Sequence, residues 1–312
     1  MSVRALLRLI LVVQGAAIAA IAWALHRSLG MAWWLALLDG VGIAVLVRLA
    51  IGIHNFASSS RHASATPPQH ALTPRARLRL FAQEFRASMM VGSWHMLRAS
   101  PAPRMHRDST YLPVLLLHGY GANGGYWVHL AARLDAARIS HATLDLEPLF
   151  GDIDGYVPLV DAAVRALREA SGSDKVVVVG HSMGGLVARA WLRRGGTAYA
   201  ARVITLGSPH HGSVLASLAP GLNGAQMRRG RGAQPESAWL RALAGSETLE
   251  TRALITSIWS HHDNMVAPQD SSFLPGARNI DFGGIGHVAL GSDQRVLDEV
   301  MREIGEVSRA TA

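Results

Sequence analysis

Cysteine is absent from all 312 residues. That excludes disulfides, thiolate metal sites and a cysteine nucleophile, although it does not fix the redox compartment. Charge is scarce as well: Asp, Glu, Lys and Arg make up 17% of the chain and hydrophobic residues 49%, where an ordinary soluble domain carries about 25% charge. Some part of the chain is therefore not solvated like a normal surface. Disorder and fibrous repeats are excluded, and the length allows one large domain of roughly 200 to 250 residues plus an appendage.

The formal net charge of +8 is unevenly spread. Residues 1–53 hold Arg4, Arg8, Arg27 and Arg48 against Asp39, a net of +3. Residues 54–109 hold eight arginines against Glu84 and Asp108, a net of +6, and the remainder sits at −1. A nucleic-acid partner requires positive charge clustered on the folded domain, and here that domain is near neutral.

Two hydrophobic spans, Leu9 to Leu25 and Met31 to Ile53, are separated by a turn too short for anything but a tight reversal. About 20 apolar residues cross a bilayer as a helix, and Arg8 and Arg48 can snorkel from near the ends. Residues 1–53 thus read as a two-helix transmembrane anchor, with Trp23, Trp33 and Trp34 near the turn as an interfacial belt. A cleaved signal peptide is the other reading of the first span, with Arg4 and Arg8 as its basic start and Ala20-Ile21-Ala22 as the cleavage region. Arginines flank the N-terminus and follow the second span, so the positive-inside rule puts both ends of a hairpin in the cytoplasm. Asp39 is costly in mid-span and is expected against a partner helix or inside the hairpin.

Residues 54–74 read as a linker, small and polar with Pro67, Pro68 and Pro74. Residues 75–109 form a basic amphipathic helical segment. Its helix is expected over Pro74 to Met96, with Leu78, Phe81, Phe85 and Met89 on the apolar face, packed on its own domain or lying on a membrane.

From residue 110 onward apolar runs alternate with helical patterns, which predicts an α/β domain over 110–312: a mainly parallel sheet flanked by helices. Strands are expected at Pro113–Leu117, His141–Leu144, Lys175–Val179, Ala201–Leu206, Ala253–Trp259 and Ala277–Phe282. Helices are expected at Val157–Ala170 and Met183–Arg194. The strand at Lys175 runs into Gly180-His181-Ser182-Met183-Gly184 and then directly into a helix. Gly-x-Ser-x-Gly in that frame is a sharp turn that lifts a serine hydroxyl above the sheet, with a helix N-terminus aimed where negative charge develops. Ser182 is the candidate nucleophile.

An earlier strand ends in His118-Gly119-Tyr120-Gly121, where acyl-transfer chemistry needs a second oxyanion donor. The backbone N–H groups of Tyr120 and Met183 are the candidate pair, the Tyr120 ring is expected to line an acyl pocket, and His118 to shape the loop. The chain order of nucleophile, acid and base selects Asp263, in the loop after the strand at 253–259, and His287, after the next strand. Both fall at carboxyl ends of strands, where sites in open α/β sheets gather. His261, His262, His210 and His211 are weaker bases, Asp281 a weaker acid, and Asp145 the fallback acid.

His118-Gly119-Tyr120-Gly121, Gly180-His181-Ser182-Met183-Gly184-Gly185, Thr205-Leu-Gly-Ser-Pro-His-His-Gly-Ser213, Asp263 and Gly286-His287 together resemble bacterial triacylglycerol lipases and esterases of the α/β-hydrolase superfamily. The resemblance covers roughly residues 112–300. It implies an α/β-hydrolase fold preceded by the transmembrane helical hairpin, with a Ser182–Asp263–His287 triad and Tyr120 and Met183 as oxyanion hole. It implies an acyl-ester or lipid substrate and, with the anchor, a bacterial inner-membrane enzyme whose catalytic domain lies on the cytoplasmic face. Some relatives bind calcium or carry a disulfide; this chain has no cysteine and no recognisable calcium ligand set, so neither metal nor cofactor is expected. Residues 210–248, which include Met227, are the expected cap, with Leu215, Leu218 and Leu222 as channel-lining candidates and Arg228, Arg229 and Arg231 as contacts for anionic head groups; a solvated loop with ordinary surface arginines is the other reading. A thioesterase or acyltransferase with the same triad, and an inactive membrane-anchored binding protein, are the alternatives.

Overall fold

The computed structural model describes residues 2–100, 102–230 and 235–311. It begins with α1 (Val3–Leu29) and α2 (Trp33–Ser60), packed along one another about a turn at Gly30. Both are long and apolar enough to cross a membrane. Ala22, Ala36 and Gly40 fill the face between them, whereas Val12, Leu38 and Leu46 point outward. Asp39 is exposed on the outer surface, so it does not lie inside the hairpin. Val3 and Leu7, at the free end of α1, are buried against Met96 and Leu149.

After α2 the chain is tied to the later domain by Ser64, whose N–H donates to Gln269 Oε1 at 3.1 Å. The helix α3 (Pro74–Met90) comes next, capped by Thr73 and started by Pro74 at a position that needs no N–H donor. Its apolar face differs from the one expected. Leu78 is 69% exposed, and the buried residues are Leu80 and Glu84. Phe81 instead meets Phe56 of α2, with ring centroids 5.7 Å apart. The helix continues through a widened turn at Val91–His95 to Arg98.

The six strands are all parallel: β1 (Val114–Leu117), β2 (His141–Leu144), β3 (Val176–His181), β4 (Ala200–Leu206), β5 (Ile255–Ser260) and β6 (Arg278–Phe282), in the order β2-β1-β3-β4-β5-β6. The apolar runs predict these strands to within a residue or two. Register sets Leu115 opposite Ala142 and Val178, Val179 opposite Ile204, and Ile258 opposite Leu206 and Ile280.

Alternation along the strands divides the core in two. Leu115, Leu117, Val176 and Val178 pack with Val160 and Val164 of α5 (Val157–Ser171) and with Leu186 and Trp191 of α6 (Met183–Arg193). Val114, Leu116, Val177 and Val179 face the other way. They meet Leu130 and Leu134 of α4 (Val128–Ala136) and Val296, Val300 and Ile304 of α9 (Gln294–Thr311). A fully parallel sheet must be covered on both faces, which accounts for strands that read as apolar runs.

Between β4 and β5 the insertion carries α7 (Gly221–Gln226) and α8 (Ala238–Gly245). A buried ion pair fixes the segment after α8 to the core: Arg189 of α6 makes two 2.7 Å bonds to Glu247, with side chains 1% and 0% exposed. Arg252 adds a third contact at 3.0 Å. Removing one partner of such a pair leaves an uncompensated charge in a dry interior. Glu247→Ala is expected to lower stability by about 3–5 kcal/mol, measured by denaturant unfolding of the purified protein, and an unchanged midpoint would contradict this account of the contact.

Candidate active site

Ser182 sits where β3 gives way to α6, with φ +53° and ψ −120°. A side chain at positive φ is strained and needs surrounding structure to hold it. Here the Ser182 N–H donates to Leu206 O at 2.9 Å, pinning the turn to β4. Close packing does the rest: a Cβ on Gly184 would lie 2.3 Å from the carbonyl oxygen of Leu117 on β1, so only glycine lets α6 start this near the sheet. The Gly-x-Ser-x-Gly pattern is therefore a packing requirement as much as a chemical one.

Two backbone donors lie at this turn. Met183 opens α6, so its N–H has no partner within the helix. Among the described residues neither it nor the N–H of Tyr120 meets an acceptor. The Tyr120 loop is held by His118, whose Nε2 accepts the Leu146 N–H at 2.9 Å. That fixes the proton on Nδ1, which donates to Gly119 O at 2.9 Å. Burial pushes the His118 pKa down, so the ring stays neutral and both nitrogens are committed to loop structure. The expected role of His118 agrees with this geometry.

Asp263 and His287, read from loops 24 residues apart, meet with Asp263 Oδ2 2.7 Å from His287 Nδ1. The other carboxylate oxygen accepts the N–H groups of Met265 and Val266 at 2.7 and 2.8 Å. Both side chains are buried. Burial alone disfavours the charged imidazole, but the charge and hydrogen bond of Asp263, with a further contribution from Glu84, raise the His287 pKa above its ordinary value. The His287 N–H donates to Asn264 Oδ1 at 2.9 Å. With Nδ1 occupied, Nε2 is the ring nitrogen left for a proton from a nucleophile. Ser182 Oγ and His287 Nε2 are not hydrogen-bonded to each other here, a bond that often tightens only when substrate is present.

Behind His287 lies a stack of rings: His181 is tilted against it at 4.6 Å, and Tyr126 stacks on His181 at 4.0 Å. Burial, reinforced by the nearby His287, drives the His181 pKa well below the usual imidazole range. His181 is thus neutral, with Nε2 3.2 Å from His287 O.

The rival residues are used elsewhere. Asp145 accepts the Gly124 N–H at 2.9 Å, while His210 lies in the Arg189 network and near Glu236 stands His211. His262 accepts the Gly284 N–H at 3.0 Å, and burial brings its pKa down to about 4. His70 and His261 each lie 2.9 Å from the same oxygen of Asp281. These three offer nitrogen and oxygen donor atoms that all lie within 4.8 Å of one another. The set fits shared hydrogen bonding that fastens His70 to β6.

The insertion meets the site differently from the sequence reading. Tyr120 donates its hydroxyl to Pro220 O at 2.8 Å and stands 6.0 Å from the Phe150 ring, so it latches the insertion. Within the insertion Met227 belongs to the core, while the channel candidates Leu218 and Leu222 are exposed, and the Leu222 N–H donates to Phe150 O at 3.2 Å. Arg229 is bound to Glu236 and His211 O, leaving Arg228 exposed; Arg231 lies outside the described residues.

One residue escaped the sequence reading altogether. Glu84, on α3, is 3% exposed and its carboxylate accepts the N–H groups of Val288 and Ala289. Its signal was faint: it is the sole acidic residue between Asp39 and Asp108.

The family model of the alpha/beta hydrolase family matches residues 114–302, more than half of the chain. Among solved structures, Bacillus licheniformis lipase BlEst2 in its mature form superposes with a TM-score of 0.54 at 21% identity, over 65% of this chain and 96% of that one. Its propeptide form gives 0.53 at 21%, over 65% and 52%. Aspergillus fumigatus lipase B gives 0.52 at 18%, over 76% of this chain and 62% of its own. At such identities the likeness is one of fold. The parallel sheet, the serine turn between β3 and α6 and the family match lead to one conclusion: the chain belongs to the alpha/beta hydrolase family.

Proposed function

We propose that the protein is a membrane-anchored serine hydrolase that cleaves carboxylic esters of lipids. The observation that carries this reading is the strained serine at the end of β3 with a dry Asp263–His287 pair and two unpartnered backbone N–H groups beside it. Ser182 loses its proton to His287 Nε2 as Oγ attacks the ester carbonyl, while Asp263 stabilises the resulting imidazolium. The tetrahedral oxyanion is held by the N–H groups of Tyr120 and Met183. Collapse expels the alcohol, which takes the proton from His287, and leaves an acyl-enzyme. Water, deprotonated by His287, then attacks the same carbonyl and releases the acid and Ser182.

The lipid preference rests on surroundings. Phe150, Leu218, Leu222 and Met265 are exposed apolar side chains, and Leu149, next to Phe150, packs on Val3 and Leu7 of the first helix. Ala122, of the Tyr120 loop, touches the same cluster. Both free ends of the hairpin adjoin the domain, so the domain and the arginine-bearing ends share one side, which by the positive-inside rule is cytoplasmic.

Three measurements test this reading. Ser182→Ala is expected to abolish fluorophosphonate labelling and lower ester turnover on the order of 10⁶-fold; wild-type turnover in that variant refutes the mechanism. Activity requires neutral His287, so it is lost as pH falls through a pKa held above the ordinary value. Asp263→Asn removes the charge that favours the imidazolium, so the acidic limb of the pH–rate profile moves to lower pH while kcat drops on the order of 10⁴-fold. Because the chain has no cysteine, single replacements report topology directly. In intact cells an impermeant maleimide should label Ser28→Cys, in the last turn of α1 beside the hairpin turn, and reach Ser171→Cys only after permeabilisation. The reverse pattern puts the domain outside.

A further inference from the structure

Glu84 is a buried acid that the acyl-transfer steps do not use. It comes from α3, ahead of the segment matched by the family model. A carboxylate removed from water is unfavourable by several kcal/mol unless it is fully hydrogen-bonded, so its partners explain its presence. Oε1 accepts the Val288 N–H at 3.0 Å and Oε2 accepts the Ala289 N–H at 2.9 Å. The residue on the other side of His287 is shaped by the same group: a Cβ on Gly286 would stand 2.5 Å from Oε2. One carboxylate therefore touches the chain before His287 and binds it twice just after.

We propose that Glu84 is a positioning residue, supplied by the N-terminal helix, that sets the backbone of the His287 loop and so the direction of the imidazole. The inference rests on the reading of His287 as general base. Asp263 fixes the ring through Nδ1 and Asn264 fixes the His287 N–H. Glu84 fixes the next two residues, whose N–H groups open a short helical turn and have no partners within it.

Charge adds a second effect. The titratable and charged groups around Glu84 are His287, Asp263 and Tyr126, with Arg48 of α2 lining the same cavity of about 350 Å³. Arg48 is hydrogen-bonded to Gln14 and Ser93. Burial raises the Glu84 pKa, against the lowering by the Val288 and Ala289 N–H groups and by His287; in its ionised form Glu84 favours the protonated form of His287, in the same sense as Asp263.

The test uses the full-length protein in detergent micelles, with kcat and KM for a p-nitrophenyl ester followed across pH and folding checked by thermal melting. Glu84→Gln keeps the shape but loses the charge and turns an N–H₂ toward a backbone N–H. It is expected to lower kcat by about 10²-fold, the effect of a misplacement near 1 Å, to leave KM within about twofold, and to move the acidic limb to lower pH. Glu84→Asp keeps the charge but is one methylene short, so kcat falls while the limb stays near its wild-type position. A purely structural role lowers the melting temperature without moving the limb. Wild-type kcat and an unmoved limb in Glu84→Gln overturn the proposal. If that variant does not fold, wild-type kcat in Glu84→Asp overturns it. Ser182→Ala in parallel separates the two levels: residual wild-type turnover there overturns the reading of the site itself, and the proposal with it.

Discussion

A carboxylate withdrawn from water needs replacement donors, and Asp263 finds three within 2.8 Å: the His287 ring and the N–H groups of Met265 and Val266. Much of the surrounding geometry comes from satisfying that one group. The loop after β5 curls so that its own amides reach the acid. The loop after β6 must bring an imidazole to the remaining oxygen. The parallel sheet makes this possible by delivering both loops, and the serine turn, at the same edge. Removing water strengthens each contact and makes any unmatched partner costly.

The sequence was most readable where a local pattern carries the structural information. Apolar runs marked the inner strands, because strands covered on both faces lack the polar alternation that the edge strand β6 keeps, with Arg278 and Asp281 exposed. Gly180, Ser182 and Gly184 announced the turn, since the packing at the two glycines tolerates no side chain. Chain order and places after strands, not anything in their immediate neighbours, single out Asp263 and His287, whose side chains the structure sets 2.7 Å apart.

What could not be read was decided by distant partners. The spacing on α3 predicts an apolar stripe through Leu78, yet Leu78 is exposed and the inward face includes an acid. Periodicity treats every charge as a vote for solvent. Glu84 is buried because two amides some 200 residues later lack other acceptors, and no window of sequence contains that fact. Met227 falls by position in the expected cap but belongs to the core, and the Tyr120 hydroxyl reaches across to Pro220. Asp39 similarly faces outward, although its place in an apolar span argued for concealment.

The path of α3, from the hairpin to the loop of His287, bears on biogenesis. In the membrane-anchored reading, the two long helices are synthesised first and enter the bilayer while most of the sheet is still untranslated. The hydrolase portion then folds against a helix already held at the membrane surface. The Val288 and Ala289 amides take their acceptors from that helix, made some 200 residues earlier. In that reading, completion of the His287 loop follows placement of α3, so the order of synthesis and the order of assembly coincide.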